Sequence, residues 1–200
     1  MKKTLILILG FVLLNTNLYA ATNILFLGDS LSEGMGVDEE FAFPRLVERN
    51  LKAKKHDVSV TNGGVNGATS ASGANRLKWH LKKKTDIMVL ELGANDGLRG
   101  LKLAETEKNL VNIIQIAKEK KVKVLLLGLM MPPNYGKKYT DEFEAMYKKI
   151  AVKEKVPLLP FILQGVAGNP KLNQADGIHP NIEGHEVIAK TITEFVEKYL

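Results

Sequence analysis

The chain has 200 residues, 45% of them hydrophobic and 25% charged, with 17 glycines and 7 prolines. That length suits one domain with a sizeable core, and the composition excludes a disordered or collagen-like chain. The absence of cysteine excludes disulfides, thiolate chemistry and a lipid-modified cysteine anchor, and the formal charge of +6 favours anionic partners over cationic ones.

Residues 1–20 stand apart from the rest. Lys2 and Lys3 precede an apolar run over 4–14, and residues 15–20 are more polar and end on small side chains at Ala20 and Ala21. This three-part layout predicts a cleavable signal peptide over 1–20 and an exported mature chain over 21–200, periplasmic or secreted. The apolar run is shorter than the ~20 residues a membrane span requires. Leu18, three residues before the expected cut, is larger than the small residue usual there.

Strand and helix patterns then alternate. Residues 23–27 are a short apolar run closed by Gly28, which predicts a buried strand. Residues 41–54 carry Phe43, Leu46, Val47 and Leu51 at helical spacing. Strands are predicted over 58–61 and 87–92, on either side of a helix over 70–84 with a basic exposed side. A long amphipathic helix follows over 103–120, then a strand over 122–127, a helix over 141–153 and a short strand over 156–159. A last helix is predicted over 181–199, with Pro180 suited to its first position. Such alternation implies right-handed βαβ units: an α/β fold with a mostly parallel sheet and helices on both faces.

In such sheets ligands bind at the carboxyl ends of the strands. Gly28-Asp29-Ser30 follows the first strand, residues 62–67 the second and 93–96 the third; residues 176–179 precede the last helix. These four polar or glycine-containing segments are expected to meet at one sheet edge.

The lysine runs at 82–84 and 118–123 fall on helical spacing, which makes them solvated helix faces. A weak contact with anionic lipid stays open. Nucleic acid is not expected, because no aromatic interleaving accompanies the lysines.

Among the four histidines, His56, His80 and His185 have settings that suit surface or packing roles. His179 differs, because Asp176 precedes it by three residues in a turn. A short turn can bring that carboxylate onto the imidazole nitrogen facing away from a substrate. The same residues also make a plain helix-start turn. With cysteine absent, Ser30 is the first candidate nucleophile, although Gly-Asp-Ser is equally an ordinary capping loop. Gly67, through its backbone N–H, and Asn95, through its side-chain amide, are candidate oxyanion donors; each also fits a turn.

Together these segments resemble the SGNH, or GDSL, hydrolase family. The resemblance is carried by Gly28-Asp29-Ser30-Leu31-Ser32, by Gly67, by Gly93-Ala94-Asn95-Asp96 and by Asp176-Gly177-Ile178-His179-Pro180. It implies a three-layer α/β/α sandwich with a flavodoxin-like sheet, forming a single domain over 21–200. It also implies Ser30 as nucleophile, His179 as base and then acid, and Asp176 as the residue orienting His179. The oxyanion hole is then Ser30, Gly67 and Asn95, with Asp29 holding the loop from behind. Ala68 departs from the polar or acidic residue common at that position. Residues 91–100, 133–136 and 156–161 most resemble a branch of exported bacterial acylhydrolases with thioesterase, lysophospholipase and arylesterase activity.

The expected activity is therefore hydrolysis of acyl esters or thioesters through an acyl-enzyme on Ser30, by a monomer acting on a small acyl ester or lysophospholipid. No metal or other cofactor is expected, and no His-Glu-x-x-His pattern is present. A carbohydrate acetylesterase is the nearest alternative. A non-catalytic envelope-binding protein is a further one, but it would be expected to have lost the Ser, Asn or His. Residues 130–139 are either a mobile wall over the acyl chain or a plain connection. Met130, Met131 and Ile178 line an acyl groove or belong to the core.

Overall fold

The computed structural model describes residues 21–200, so the signal-peptide reading of residues 1–20 lies outside the described residues. In chain order the main elements are β1 (Thr22–Leu27), α1 (Ser30–Glu33), α2 (Phe43–Ala53), β2 (Val58–Asn62), α3 (Ser70–His80), β3 (Ile87–Leu90) and α4 (Ala94–Leu98). They continue with α5 (Leu103–Glu119), β4 (Lys123–Leu127), α6 (Lys137–Glu154), β5 (Leu158–Leu159) and α7 (Ile182–Val196).

All four strand pairings are parallel, in the order β2-β1-β3-β4-β5. β1, β3 and β4 lie inside the sheet and bury both faces, which is why Ile24–Leu27, Ile87–Leu90 and Val124–Leu127 are unbroken apolar runs. β2 lies at an edge and alternates, with Val58 and Val60 inward and Ser59 and Thr61 outward. α2 packs against α7, while α3 packs on α5 and α5 on α6. Connections from β1 outward to β2, and from β2 back across to β3, run in opposite directions, so right-handed crossovers put these helix groups on opposite faces. The result is a three-layer α/β/α sandwich with the 2-1-3-4-5 order of flavodoxin-like sheets.

α2 shows how the sequence sets the packing. Phe43, Leu46, Val47 and Leu51 form one buried stripe, Pro44 fits the first turn, and the charged residues face out. Ile188, Ala189, Ile192 and Val196 of α7 supply the facing stripe. Phe43 also packs edge-on against Phe26 of β1, with ring centroids 5.7 Å apart.

Several boundaries differ from those expected. α1 and α4 fall where only loops were expected, because each, at four and five residues, is too short for apolar periodicity to reveal. α3 stops at His80, and α6 begins at Lys137 rather than Asp141. Pro180 is outside α7. The cap is Asn181, whose side chain accepts the Gly184 amide at 3.0 Å. β5 keeps only two residues of the run expected over 156–159.

The strand order reverses between β1 and β3. Chains leaving these two strands diverge to opposite sides and open a crevice at their carboxyl ends. Ser30 follows β1 and Asn95 follows β3, so both stand at that crevice.

Candidate active site

Asp29 caps α1 by accepting the Leu31 amide at 3.0 Å through Oδ1. Gly34 ends the helix at φ +86°, a left-handed conformation that costs glycine little. Ser30 is the first residue of this turn, where backbone N–H groups have no helical acceptor. It is buried, and its Oγ lies 2.9 Å from His179 Nε2.

His179 is set by its own turn. Asp176 Oδ1 accepts the amides of Ile178 at 2.9 Å and His179 at 3.0 Å, and Gly177 takes φ +70° between them. Asp176 Oδ2 is then 2.6 Å from His179 Nδ1. The His179 amide, then its ring, then the Ile178 amide hold the Asp176 carboxyl down to about 2, so it is a carboxylate at neutral pH. Gln174 ties this turn to the serine loop: its Nε2 donates to Met35 O at 2.7 Å and Pro180 O at 2.9 Å.

The other two loops converge on the same point. Gly67 sits at φ +69°, and an added Cβ would meet only Arg99 Nη2, at 3.4 Å. The positive φ gives glycine a conformational reason at this position. Arg99 holds Gly67 O at 3.1 Å. Asn95 lies in the first turn of α4, and its Nδ2 donates to Ala68 O at 3.1 Å and to Asp29 Oδ2 at 3.3 Å. Both amide hydrogens are thus engaged, and an oxyanion would compete for the longer bond. Asp96, beside it, accepts Ser70 N at 2.8 Å and Ser70 Oγ at 2.6 Å, which locks the start of α3 to α4.

The structure therefore brings Ser30, His179, Asp176, Gly67, Asn95 and Asp29 into one cluster. A model of the GDSL-like lipase/acylhydrolase family matches residues 26–187, a span that takes in every one of them. The chain belongs to this family. It is 43% identical to the esterase TesA of Pseudomonas aeruginosa over 173 residues, covering 86% of each chain. It is 41% identical to the thioesterase 1/protease 1/lysophospholipase L1 of Escherichia coli K12 over 182 residues, covering 90% of this chain and 86% of the relative. A crystal structure of TesA superposes with a TM-score of 0.87 at 38% identity, covering 90% of this chain and 100% of that one. As a member of this family, the chain is a serine esterase/acylhydrolase acting on ester or thioester bonds of small molecules.

Beneath the cluster lies a feature that sequence reasoning did not single out. Glu91 follows β3, is wholly buried, and accepts Ser32 Oγ at 2.7 Å and Asp29 N at 3.2 Å on one oxygen, Oε2. Burial first, then the charge of Asp29, pushes Glu91 well above the carboxylate range. Burial also raises Asp29 to about 6, although the Leu31 amide and Asn95 offset it. Arg76 on α3 faces both carboxyls and donates through Nη2 to Gly28 O at 2.7 Å and to Gly63 O. The available sequence signal was a glutamate inside the family member's run 87–92, expected to be a buried strand.

Three large apolar residues on the loops that meet at the serine, Met35, Val65 and Ile178, are exposed. Met35 N bonds Ser30 O at 3.1 Å, Val65 N bonds Gly28 O at 3.3 Å, and Ile178 adjoins His179. Met131 is buried in the core and Met130 is half-buried. Pro133–Tyr135 forms a 3₁₀ turn, residues 137–139 open α6, and the hydroxyls of Tyr135 and Tyr139 donate to Leu98 O and Gly97 O, at 3.0 and 3.2 Å. His56 pairs with Glu197 at 2.9 Å, His80 packs edge-on against Trp79, and His185 is buried, in keeping with packing and surface roles.

Proposed function

We propose that Ser30 is the nucleophile, His179 the general base and acid, and Asp176 the residue that orients His179. The observation that carries this reading is the continuous chain Ser30 Oγ, His179 Nε2, His179 Nδ1, Asp176 Oδ2, with links of 2.9 and 2.6 Å. Asp176 is ionised and accepts at Nδ1, so Nδ1 keeps its proton and Nε2 is free to take one from Ser30.

Ser30 attacks the acyl carbon as Nε2 takes its proton. The tetrahedral oxyanion rests on the N–H groups of Ser30 and Gly67 and on Asn95 Nδ2, which gives up its bond to Asp29. His179 returns the proton to the leaving alcohol or thiol, and water repeats the sequence on the acyl-enzyme. Asp29 holds the loop through the Leu31 amide.

The substrate class in this reading is a lysophospholipid or another single-chain acyl ester. The exposed Met35, Val65 and Ile178, on the loops that carry or adjoin Ser30 and His179, support it, because burying apolar acyl surface against them contributes about 25 cal/mol per Å². The name of the Escherichia coli relative points the same way. Export, through the layout of residues 1–20, belongs to this reading and brings the enzyme to envelope lipids. So do a single domain over 21–200, a monomeric state and a weak contact with anionic lipid.

The test is hydrolysis of p-nitrophenyl esters from acetyl to palmitoyl, and of a lysophospholipid, by the chain lacking residues 1–20. Activity that persists with medium and long chains and extends to the lysophospholipid supports the reading. Activity confined to acetyl esters replaces it with a short-acyl esterase.

A further inference from the structure

Glu91 makes no hydrogen bond to Ser30 Oγ, yet it grips the loop around the serine. Its Oε2 accepts from the residue before Ser30, at Asp29 N, and from the second residue after it, at Ser32 Oγ. The fit is close: a Cβ on Gly28 would come within 2.6 Å of Glu91 Oε2 and 2.0 Å of Ser32 Oγ. The strand-end backbone is fixed too, since Glu91 N donates to Leu27 O at 2.9 Å.

Glu91 Oε1, by contrast, has no hydrogen-bond partner among the described residues. A buried carboxylate held by one oxygen leaves a charged acceptor unpaired, and the neutral acid lowers that cost. Burial and the Asp29 charge favour the neutral form, and the Arg76 guanidinium opposes them. The Asp29 carboxyl approaches from the serine loop and repels a second negative charge; Asp29 in turn faces His179. The Tyr147 hydroxyl on α6 faces Glu91 but donates to Leu92 O at 2.9 Å. Arg76 on α3 spends Nη2 on two carbonyls, and its buried Nη1 bonds neither carboxyl and has no partner among the described residues. Burial and the Asp29 charge raise Glu91 accordingly.

We propose that Glu91 is a positioning residue that, as a neutral acid, fixes the backbone on both sides of Ser30 and so the aim of Ser30 Oγ at His179 Nε2. This inference rests on the proposed role of Ser30 as nucleophile.

The test compares wild type, Glu91→Gln and Glu91→Leu, measuring kcat and KM on a p-nitrophenyl ester and stability by chemical denaturation across pH. Glu91→Gln keeps an acceptor oxygen without charge. It is expected to hold kcat within a few-fold, at unchanged KM. Glu91→Leu removes the acceptor and is expected to lower kcat on the order of 10²-fold, the scale of a small misplacement of reacting atoms, again at unchanged KM. Stability adds a second readout. In wild type the unfolded chain releases the Glu91 proton above about pH 4.3 and the folded chain retains it, so folding loses stability as pH rises. The stability of Glu91→Gln relative to wild type is therefore expected to grow with pH.

A Glu91→Gln variant as impaired as Glu91→Leu, or a Glu91→Leu variant with wild-type kcat, would overturn the proposal. If Glu91→Leu does not fold, Glu91→Gln still decides: a stability difference that does not grow with pH contradicts the neutral acid. Labelling wild type with a fluorophosphonate separates the two levels. No adduct on Ser30 removes the nucleophile reading itself, whereas an adduct with failed Glu91 outcomes removes only this inference.

Discussion

Asp176 serves His179 with both carboxylate oxygens: Oδ2 lies 2.6 Å from Nδ1, and Oδ1 accepts the His179 amide at 3.0 Å. One side chain thus fixes both the ring and the backbone that carries it. In Asp176→Asn, the amide NH₂ facing Nδ1 forces Nδ1 to become the acceptor, and the proton moves to Nε2. His179 then cannot deprotonate Ser30. The expected loss in kcat is on the order of 10³- to 10⁴-fold, with KM little changed, measured on a p-nitrophenyl ester. A loss of only a few-fold would show that another group orients the ring.

Asn95→Ala removes the side-chain donor proposed for the oxyanion and the bridge from Asp29 to Ala68. The expected cost is on the order of 10²- to 10³-fold in kcat. Gly67→Ala keeps its N–H but forces alanine into a left-handed conformation, at about 1–2 kcal/mol of stability. Steady-state kinetics should therefore separate the two, with Gly67→Ala losing stability more than turnover. Equal losses in kcat would count against the side-chain donor.

The loops were more legible than their support. Ser30, Gly67 and Asn95 stood out as polar or glycine-containing segments after strands and His179 by its Asp176 three residues earlier, but each also read as a plain turn or cap until the four together resembled the SGNH family. The flavodoxin-like sheet came from the resemblance, while the bare alternation of runs gave only a mostly parallel sheet. Glu91 was hidden for a physical reason: a buried carboxyl is tolerated only by its three-dimensional surroundings, here Ser32, the Asp29 amide and apolar neighbours. The ties made by Gln174 and Asp96 were not legible because their partners, Met35 and Ser70, are distant in sequence. The start of α6 was misplaced because Tyr135 and Tyr139, which pin that segment to α4, look like ordinary surface residues in the sequence.

Gly28→Ala tests the packing under the serine. Its Cβ would sit 2.0 Å from Ser32 Oγ and 2.6 Å from Glu91 Oε2, and neither atom can move without breaking their own 2.7 Å bond. Overpacking of this kind costs on the order of 1–3 kcal/mol. A lower denaturation midpoint together with reduced kcat is expected; a variant indistinguishable from wild type would show that the loop has slack.

His185 gives a pH dependence of folding. Its Nδ1 accepts the Phe43 amide at 3.3 Å, and burial first, then the His179 charge, lowers it from 6.5 to about 4. The unfolded chain takes up a proton that the folded chain refuses. The stability tied to neutral His185 is therefore present above pH 6.5 and is lost as pH falls toward 4, by about 3 kcal/mol at 1.36 kcal/mol per unit. Asp29 and Glu91, raised by burial, pull the opposite way over that range. The quantity to measure is thus the difference between wild type and His185→Gln in urea denaturation. The wild-type advantage should shrink on acidification; a difference constant with pH would contradict a buried neutral histidine.

The most direct test of the central claim is to find where the acyl group goes. Rapid acid quenching of the enzyme turning over a p-nitrophenyl ester, followed by peptide mass analysis, should place one acyl group on Ser30. Folded Ser30→Ala should carry none and hydrolyse no ester above background. An acyl group on another residue, or hydrolysis undiminished in Ser30→Ala, would contradict the account.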